Sequence, residues 1–310
     1  MYRTKGGWPM ADDGIAVNGL TKLYKNVRAV DDLSFTVSPG RVTGFLGPNG
    51  AGKTTTLRMV LNLVRPTAGT TTIGGQRYAD LADPIRKVGA LLEASGAHRG
   101  RTGRNHLRIL CDAAGIPISR ADDVLDTVGL SPAADRKFKG YSLGMRQRLG
   151  IAAALLGDPD VLILDEPANG LDPEGIRWMR DLLKSLADEG RTVLVSSHLM
   201  SEMELLADDV VIIAAGRLIQ QGPLAQVIDS AGSAQMLVRT PRPEALVAEL
   251  GDAVTVTPAG GGALRIVGAD GPAIGAAALR VGAEIHELTV ERRDLENVFL
   301  QLTAGKAAIR

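Results

Sequence analysis

The chain changes its hydrophobic rhythm several times, and each change marks an element. From Ile15 to Val37 apolar and polar residues alternate, in "IAVNGL" and again in "LSFTV", with turn residues between. Period-two alternation predicts short antiparallel strands buried on one face. "RVTGFLG" is apolar almost throughout and predicts a buried strand, and residues 53 to 63 continue as a helix. Between residues 84 and 130, "NHLRILCDAAG" and "ADDVLDTVGL" have helical spacing and end at Gly or just beyond it. The run "IAAALLG" leads to the strand "VLILDEP", the helix "GIRWMRDLLKSLADEG", the strand "TVLVSSH", the helix "MSEMELLA" and the hairpin "DDVVIIAAGRLIQQG". Strands alternating with helices predict an α/β domain built on a parallel sheet.

Around residue 225 the rhythm shifts. "AQMLVRT" reads as strand, "PEALVAELG" as helix and "AVTVTPAGGGALRIVG" as a hairpin over a Gly-rich turn. "GPAIGAAALRVG" is a helix, "EIHELTV" a strand and "DLENVFLQLTAG" a closing helix. That order, βαββαβ with one extra helix, predicts a small ferredoxin-like α+β domain over residues 230–310. Residues 14–225 form the larger domain, and residues 1–13 read as a disordered lead in which Met10 is an alternative start.

Charge removes one class of partner. Lys+Arg is 35 and Asp+Glu is 35, a net charge of zero, whereas a bulk grip on nucleic acid leaves a basic excess. The lone Cys111 allows no intrachain disulfide and fits a reducing compartment as a small apolar residue. His98, His106, His198 and His286 lack zinc-ligand spacing. No apolar stretch approaches the ~20 residues that span a bilayer. "MYRTKGGWPMADDG" has no apolar core of a secretory signal. The reading is a soluble protein that needs other chains to supply any membrane spans.

Two motifs carry chemistry. "GPNGAGKT" fits the P-loop pattern between a predicted strand and a predicted helix. The loop runs from Gly47 through Pro48, Asn49, Gly50, Ala51 and Gly52 to Lys53, Thr54 and Thr55. Its glycines let successive N–H groups turn inward around phosphate oxygens. Lys53 is expected at the β- and γ-phosphates of ATP and Thr54 on Mg²⁺. "VLILDEP" sets two acids at a strand's carboxyl end, where ligands collect in such sheets. Asp165 is expected to orient Mg²⁺ or its water, and Glu166 to polarise the attacking water. "YSLGMRQRLG" poses a different question, because Ser142 is an ordinary helix N-cap and yet a P-loop already serves phosphate.

With these motifs in order, residues 14 to 225 resemble the ATP-binding subunits of ABC transporters. "YSLGM" matches the family's signature loop, usually LSGGQ, in Ser142, Gly144 and the following "RQR", and departs from it at Leu143 and Met145. "ANGLDP" resembles the D-loop, with Asp172 at its centre, and His198 matches the switch histidine. Tyr24 matches the aromatic on which adenine stacks. The resemblance implies a P-loop ABC ATPase fold: a mixed sheet core, an antiparallel β subdomain and a helical subdomain. It implies two copies meeting head to tail, each signature loop closing on the nucleotide of the other's P-loop. Ser142 and Gly144 would then act in trans. The family's Q-loop glutamine falls at Glu93, which keeps oxygens for a cation but loses an amide donor.

The branch it resembles includes bacitracin-type, lantibiotic-immunity and drug-resistance exporters. The implied protein is an ATP-hydrolysing subunit beneath separate permease subunits, on the cytoplasmic face of the membrane, powering efflux of a drug, antibiotic or peptide. The alternative is a soluble ABC ATPase acting on ribosomes, which usually carries two nucleotide domains. A DNA-repair ATPase would need a long coiled coil between P-loop and signature, and residues 55 to 140 hold no sustained heptads. No N-K-x-D guanine motif supports a GTPase.

Overall fold

A computed structural model describes residues 14–92, 96–230, 235–291 and 294–303. The expected lead at 1–13 and the residue Glu93 lie outside the described residues. The chain divides after Leu224 into a larger unit and a smaller one, Ala225–Gln301.

The larger unit opens with β1 (Ile15–Tyr24), β2 (Val27–Val37), β3 (Arg41–Leu46), α1 (Lys53–Val60) and β4 (Ala68–Ile73). Then come α2 (Pro84–Lys87), β5 (Val88–Leu91), α3 (Gly103–Ala113), α4 (Arg120–Thr127) and α5 (Leu143–Leu155). β6 (Val161–Asp165), α6 (Pro173–Asp188), β7 (Thr192–Ser197), α7 (Met200–Leu206), β8 (Asp209–Ala214) and β9 (Arg217–Pro223) complete it.

β1 lies between β2 and β4 in an antiparallel three-stranded sheet. The second sheet has six strands in the order β5-β6-β7-β3-β8-β9, parallel except for β9. The fold is thus the α/β class with a mixed sheet. Strands β6, β7 and β8 are buried at every position, which is why they read as unbroken apolar runs. β8 turns into β9 through Ala215 and Gly216, both at positive φ, the geometry of a tight hairpin.

One helix stops short of its sequence limit. α1 stops at Val60 rather than residue 63, because Asn62 takes a left-handed conformation and the Leu63 N–H turns back to the Arg58 carbonyl. α5 begins at Leu143, directly after the Ser142 cap, and holds Gly144 and Met145 in its first turn. Ser142 starts it by accepting from the Met145 N–H at 3.2 Å.

One core joins the two sheets. Leu20, Leu33 and Phe35 of the antiparallel sheet pack with Phe45, Leu57, Ile163 and Leu194. The Phe35 and Phe45 rings stack at 5.2 Å between centroids. Arg41 forks onto the Asp209 carboxylate at 2.5 and 2.9 Å, tying β3 to β8 at its amino-terminal end. The opposite, carboxyl ends of β3, β6 and β7 therefore emerge side by side from a rigid base.

The smaller unit begins in α8 (Leu224–Ser230) and contains β10 (Gln235–Arg239), α9 (Pro243–Leu250), β11 (Thr255–Ala259), β12 (Ala263–Val267), α10 (Gly271–Arg280), β13 (Glu287–Glu291) and α11 (Leu295–Thr303). Its antiparallel sheet has the order β11-β12-β10-β13. Met236, Val238 and Ile266 on one face pack with Leu246, Ile274, Ala277 and Ala278 of the helices. The other face carries the Arg239–Glu287 and Arg265–Glu291 ion pairs.

Removing the ring that joins the two sheets is expected to be costly. Phe45→Ala should destabilise the larger unit by about 3–5 kcal/mol. Leu279→Ala, at a side chain 83 % exposed, should change stability by under ~0.5 kcal/mol. Denaturant unfolding of both variants checks the pair, and equal midpoints would contradict a shared core.

Candidate active site

The loop from Gly47 to Gly52 leaves the carboxyl end of β3 and enters α1. Two of its glycines are required by the packing. A Cβ on Gly47 would meet the Ile213 carbonyl at 2.7 Å. Gly52, at φ 101°, has no room beside the Ala29 carbonyl, 2.5 Å from where a Cβ would stand. Gly50, at φ 80°, faces open space on a turn closed by the Ala51 N–H donating to the Pro48 carbonyl at 3.0 Å. Lys53 starts α1 and folds back, its Nζ donating to the Gly47 carbonyl at 2.6 Å and to the Pro48 carbonyl at 3.5 Å. Burial lowers the Lys53 pKa, against the opposing pull of Glu166 and Asp165. Its ammonium lies 3.9 Å from Glu166 Oε1.

Asp165, the last residue of β6, is buried. Thr54 Oγ1 donates to its Oδ2 at 2.7 Å, and the Ser196 hydroxyl donates to its Oδ1. Ser196 sits opposite Asp165 in the parallel register of β6 and β7. A buried carboxylate is costly unless its oxygens are satisfied, and here two hydroxyls from two other elements satisfy them.

Glu166 follows at φ 50°, a left-handed conformation rare outside glycine. Its N–H donates to the Ser196 carbonyl and to Ser196 Oγ, each at 3.1 Å. Its carbonyl accepts from Gln147 Nε2 at 3.2 Å and from the Asn169 N–H at 3.1 Å. Held on both sides, the backbone kink turns the carboxylate out of the strand line. Glu166 Oε2 shares a hydrogen bond with His198 Nδ1 at 2.7 Å. The half-exposed His198 stands just past the end of β7.

The expected residues thus fall into groups. Lys53, Thr54, Asp165, Glu166 and His198 are linked by direct contacts at one sheet edge. Ser142 is exposed at the start of α5, and Gly144 in its first turn faces the Gly170 carbonyl. Asp172 caps α6, accepting from the Gly175 N–H at 2.9 Å. Tyr24 lies at the turn end of the β1–β2 hairpin, paired with Val27 and 44 % exposed, with Lys22 Nζ 4.9 Å from its ring centroid. Thr55 is the third residue of α1. Glu93 is outside the described residues.

Two residues of the site escaped sequence reasoning. Ser196 was hidden inside an apolar strand, where its one signal is a hydroxyl two positions before His198. Gln147 is buried on α5 between two arginines, Arg146 and Arg148, so its polarity gives no local signal. Cys111 is fully buried, and burial pushes its thiol pKa up, as suits a packing residue.

No three-residue cluster of His, Cys, Asp and Glu exists among the described residues. The donors that do meet, one hydroxyl and one carboxylate, suit Mg²⁺, which keeps waters and takes phosphate oxygens rather than a full protein cage. Among the described residues no helix is long and apolar enough to cross a membrane.

This geometry agrees with the comparisons. The family model described as "ABC transporter" matches residues 30–169, and one described as a domain of unknown function (DUF8746) matches residues 234–296. The bacitracin transport ATP-binding protein BcrA of Bacillus licheniformis is 46% identical over 212 residues, 67% of this chain and 69% of BcrA. The daunorubicin/doxorubicin resistance ATP-binding protein DrrA of Streptomyces peucetius is 37% identical over 309 residues, 94% of this chain and 93% of DrrA. The chain belongs to the ABC transporter ATP-binding proteins. Members of this family hydrolyse ATP, so the chain is an ABC ATPase. The fold is also that of the ATP-binding cassette MJ0796, solved as a dimer in a post-hydrolysis state with ADP and Pi. The match has a TM-score of 0.62 at 24% identity and covers 68% of this chain and 98% of that one.

Proposed function

We propose that this ABC ATPase powers a bacterial exporter of drugs, antibiotics or peptides, working as a head-to-tail homodimer beneath separate permease subunits. The observation that carries the catalytic part is the contact chain Lys53–Glu166–His198 beside Thr54–Asp165. The export part rests on relatives named for bacitracin transport and for daunorubicin/doxorubicin resistance, the second matched along nearly its whole length. The site of action follows from that reading: the cytoplasmic face of the membrane, reached through the permease. A net charge of zero agrees with a role that does not need nucleic acid.

In this mechanism the backbone N–H groups of the loop from Asn49 to Thr55 cradle the triphosphate against Gly47 and Pro48, and Tyr24 stacks on adenine. Lys53 neutralises the terminal phosphates at the moment charge builds on them. Thr54 and Asp165 would hold Mg²⁺, which when bound supplies charge neutralisation to the phosphate oxygens. Glu166 accepts a hydrogen bond from the attacking water and orients it. His198 keeps the Glu166 carboxylate in place through its 2.7 Å hydrogen bond. Ser142 and the N–H groups near Gly144 close over the second copy's nucleotide, and Asp172 supports that junction. Hydrolysis removes the phosphate that joins the two copies.

Glu166→Gln should keep ATP and lower turnover by about 10²–10⁴-fold, and it should accumulate as an ATP-held dimer. Normal turnover would remove Glu166 from the assignment. The shared site has its own test. Inactive Lys53→Ala chains mixed with inactive Ser142→Arg chains should regain activity, because one of the two composite sites is then intact. Proven heterodimers with no more activity than either parent would contradict closure in trans.

A further inference from the structure

α5 meets the turn after β6 along one of its faces. Leu143 and Gln147 are four residues apart and so lie on the same side of the helix. Gln147 reaches the Glu166 carbonyl at 3.2 Å. Leu143 sits one turn earlier, and although its side chain is 58 % exposed, its inner surface covers Gly170. A Cβ added at Gly170 would stand 2.2 Å from Leu143 Cδ2 and 2.3 Å from its Cγ. The contact is thus leucine on bare backbone, and Gly170 also holds φ at 77°, which a larger residue resists. Gly144 completes the junction, its α-carbon facing the Gly170 carbonyl and the Leu171 side chain.

The segment between the two contact points is short and internally tied. The Asn169 N–H donates to the Glu166 carbonyl and the Leu171 N–H to the Ala168 carbonyl, both at 3.1 Å. Such a segment transmits a shift at Gly170 back to Glu166 instead of absorbing it. Glu166 needs that support, since its own φ of 50° is unfavourable and persists only where neighbours hold it.

We propose that Leu143 is a positioning residue for Glu166: seated on Gly170, it works with Gln147 to lock the first turn of α5 to the turn after β6, fixing the carboxylate's angle toward His198. Position 143 is one at which the sequence departs from LSGGQ, and a glycine there would leave Gly170 uncovered. The inference rests on the reading of Glu166 as the carboxylate that orients water.

The test is a double-mutant cycle on the full chain, with Leu143→Ala, Gly170→Ala and the pair, and with Leu143→Met as the conservative variant. Turnover, ATP affinity and the thermal midpoint are measured for each. Each single variant should lose about tenfold in kcat with ATP affinity within about twofold, because the P-loop is untouched. The pair should lose about tenfold as well, rather than about a hundredfold, since both changes remove one contact. Leu143→Met should stay within about threefold of the starting chain at an unchanged midpoint. A multiplicative loss in the pair, or full kcat in Leu143→Ala, overturns the proposal. If Gly170→Ala does not fold, Leu143→Ala against Leu143→Met decides alone: equal turnover in the two overturns it. Glu166→Gln measured in parallel separates the two layers. If that variant is inactive while the cycle is multiplicative, only the Leu143 role fails; if it turns over normally, both fail.

Discussion

The site depends on one buried carboxylate. Asp165 accepts from Thr54 at 2.7 Å on one oxygen and from the Ser196 hydroxyl on the other. Those three residues come from the first turn of α1, the end of β6 and the end of β7. A carboxylate at 8 % exposure is tolerable only with such partners, so the bonds fix where the three elements end relative to one another. Ser196 then serves twice, because its carbonyl and hydroxyl also accept from the Glu166 N–H. Displacing Asp165 would therefore loosen Thr54 below it and Glu166 beside it together.

The arrangement sets the loop apart from the strand ends. Lys53 on the β3–α1 loop donates to the Gly47 carbonyl, whereas Glu166 and His198 stand on neighbouring strand ends and face each other at 2.7 Å. Lys53 bridges the two groups, being 3.9 Å from Glu166 Oε1 while its ammonium rests on the loop carbonyls. Burial lowers the Lys53 pKa and the two acids counter it, so the acids help keep the lysine charged.

Much of this was legible in the sequence because buried parallel strands write themselves as continuous apolar runs. "VLILD" and "TVLVSS" read as both strands, and the polar residues that end them are the ones that meet at the candidate site. What stayed hidden was pairing. Nothing local in "SSH" says that Ser196 faces Asp165, since register is decided by the whole sheet. The left-handed Glu166 was equally invisible, because glutamate gives no turn signal and the conformation is imposed by Ser196 and Gln147 from outside the segment. The limit of α1 was missed for a local reason: apolar spacing continued through Leu63 while Asn62 turned the backbone. The placement of Leu143 on Gly170 needed two motifs, read separately in the sequence, to be seen in contact.

If Asp165 and Thr54 together form the magnesium position, nucleotide affinity should depend on the cation through that carboxylate. The measurement is calorimetric titration of ATP into the purified chain and into Asp165→Asn, each with and without Mg²⁺. The account predicts that Mg²⁺ tightens binding to the original chain and that the substitution removes at least about tenfold of that gain. Binding of metal-free ATP should stay within about threefold. An undiminished Mg²⁺ effect in Asp165→Asn would contradict it.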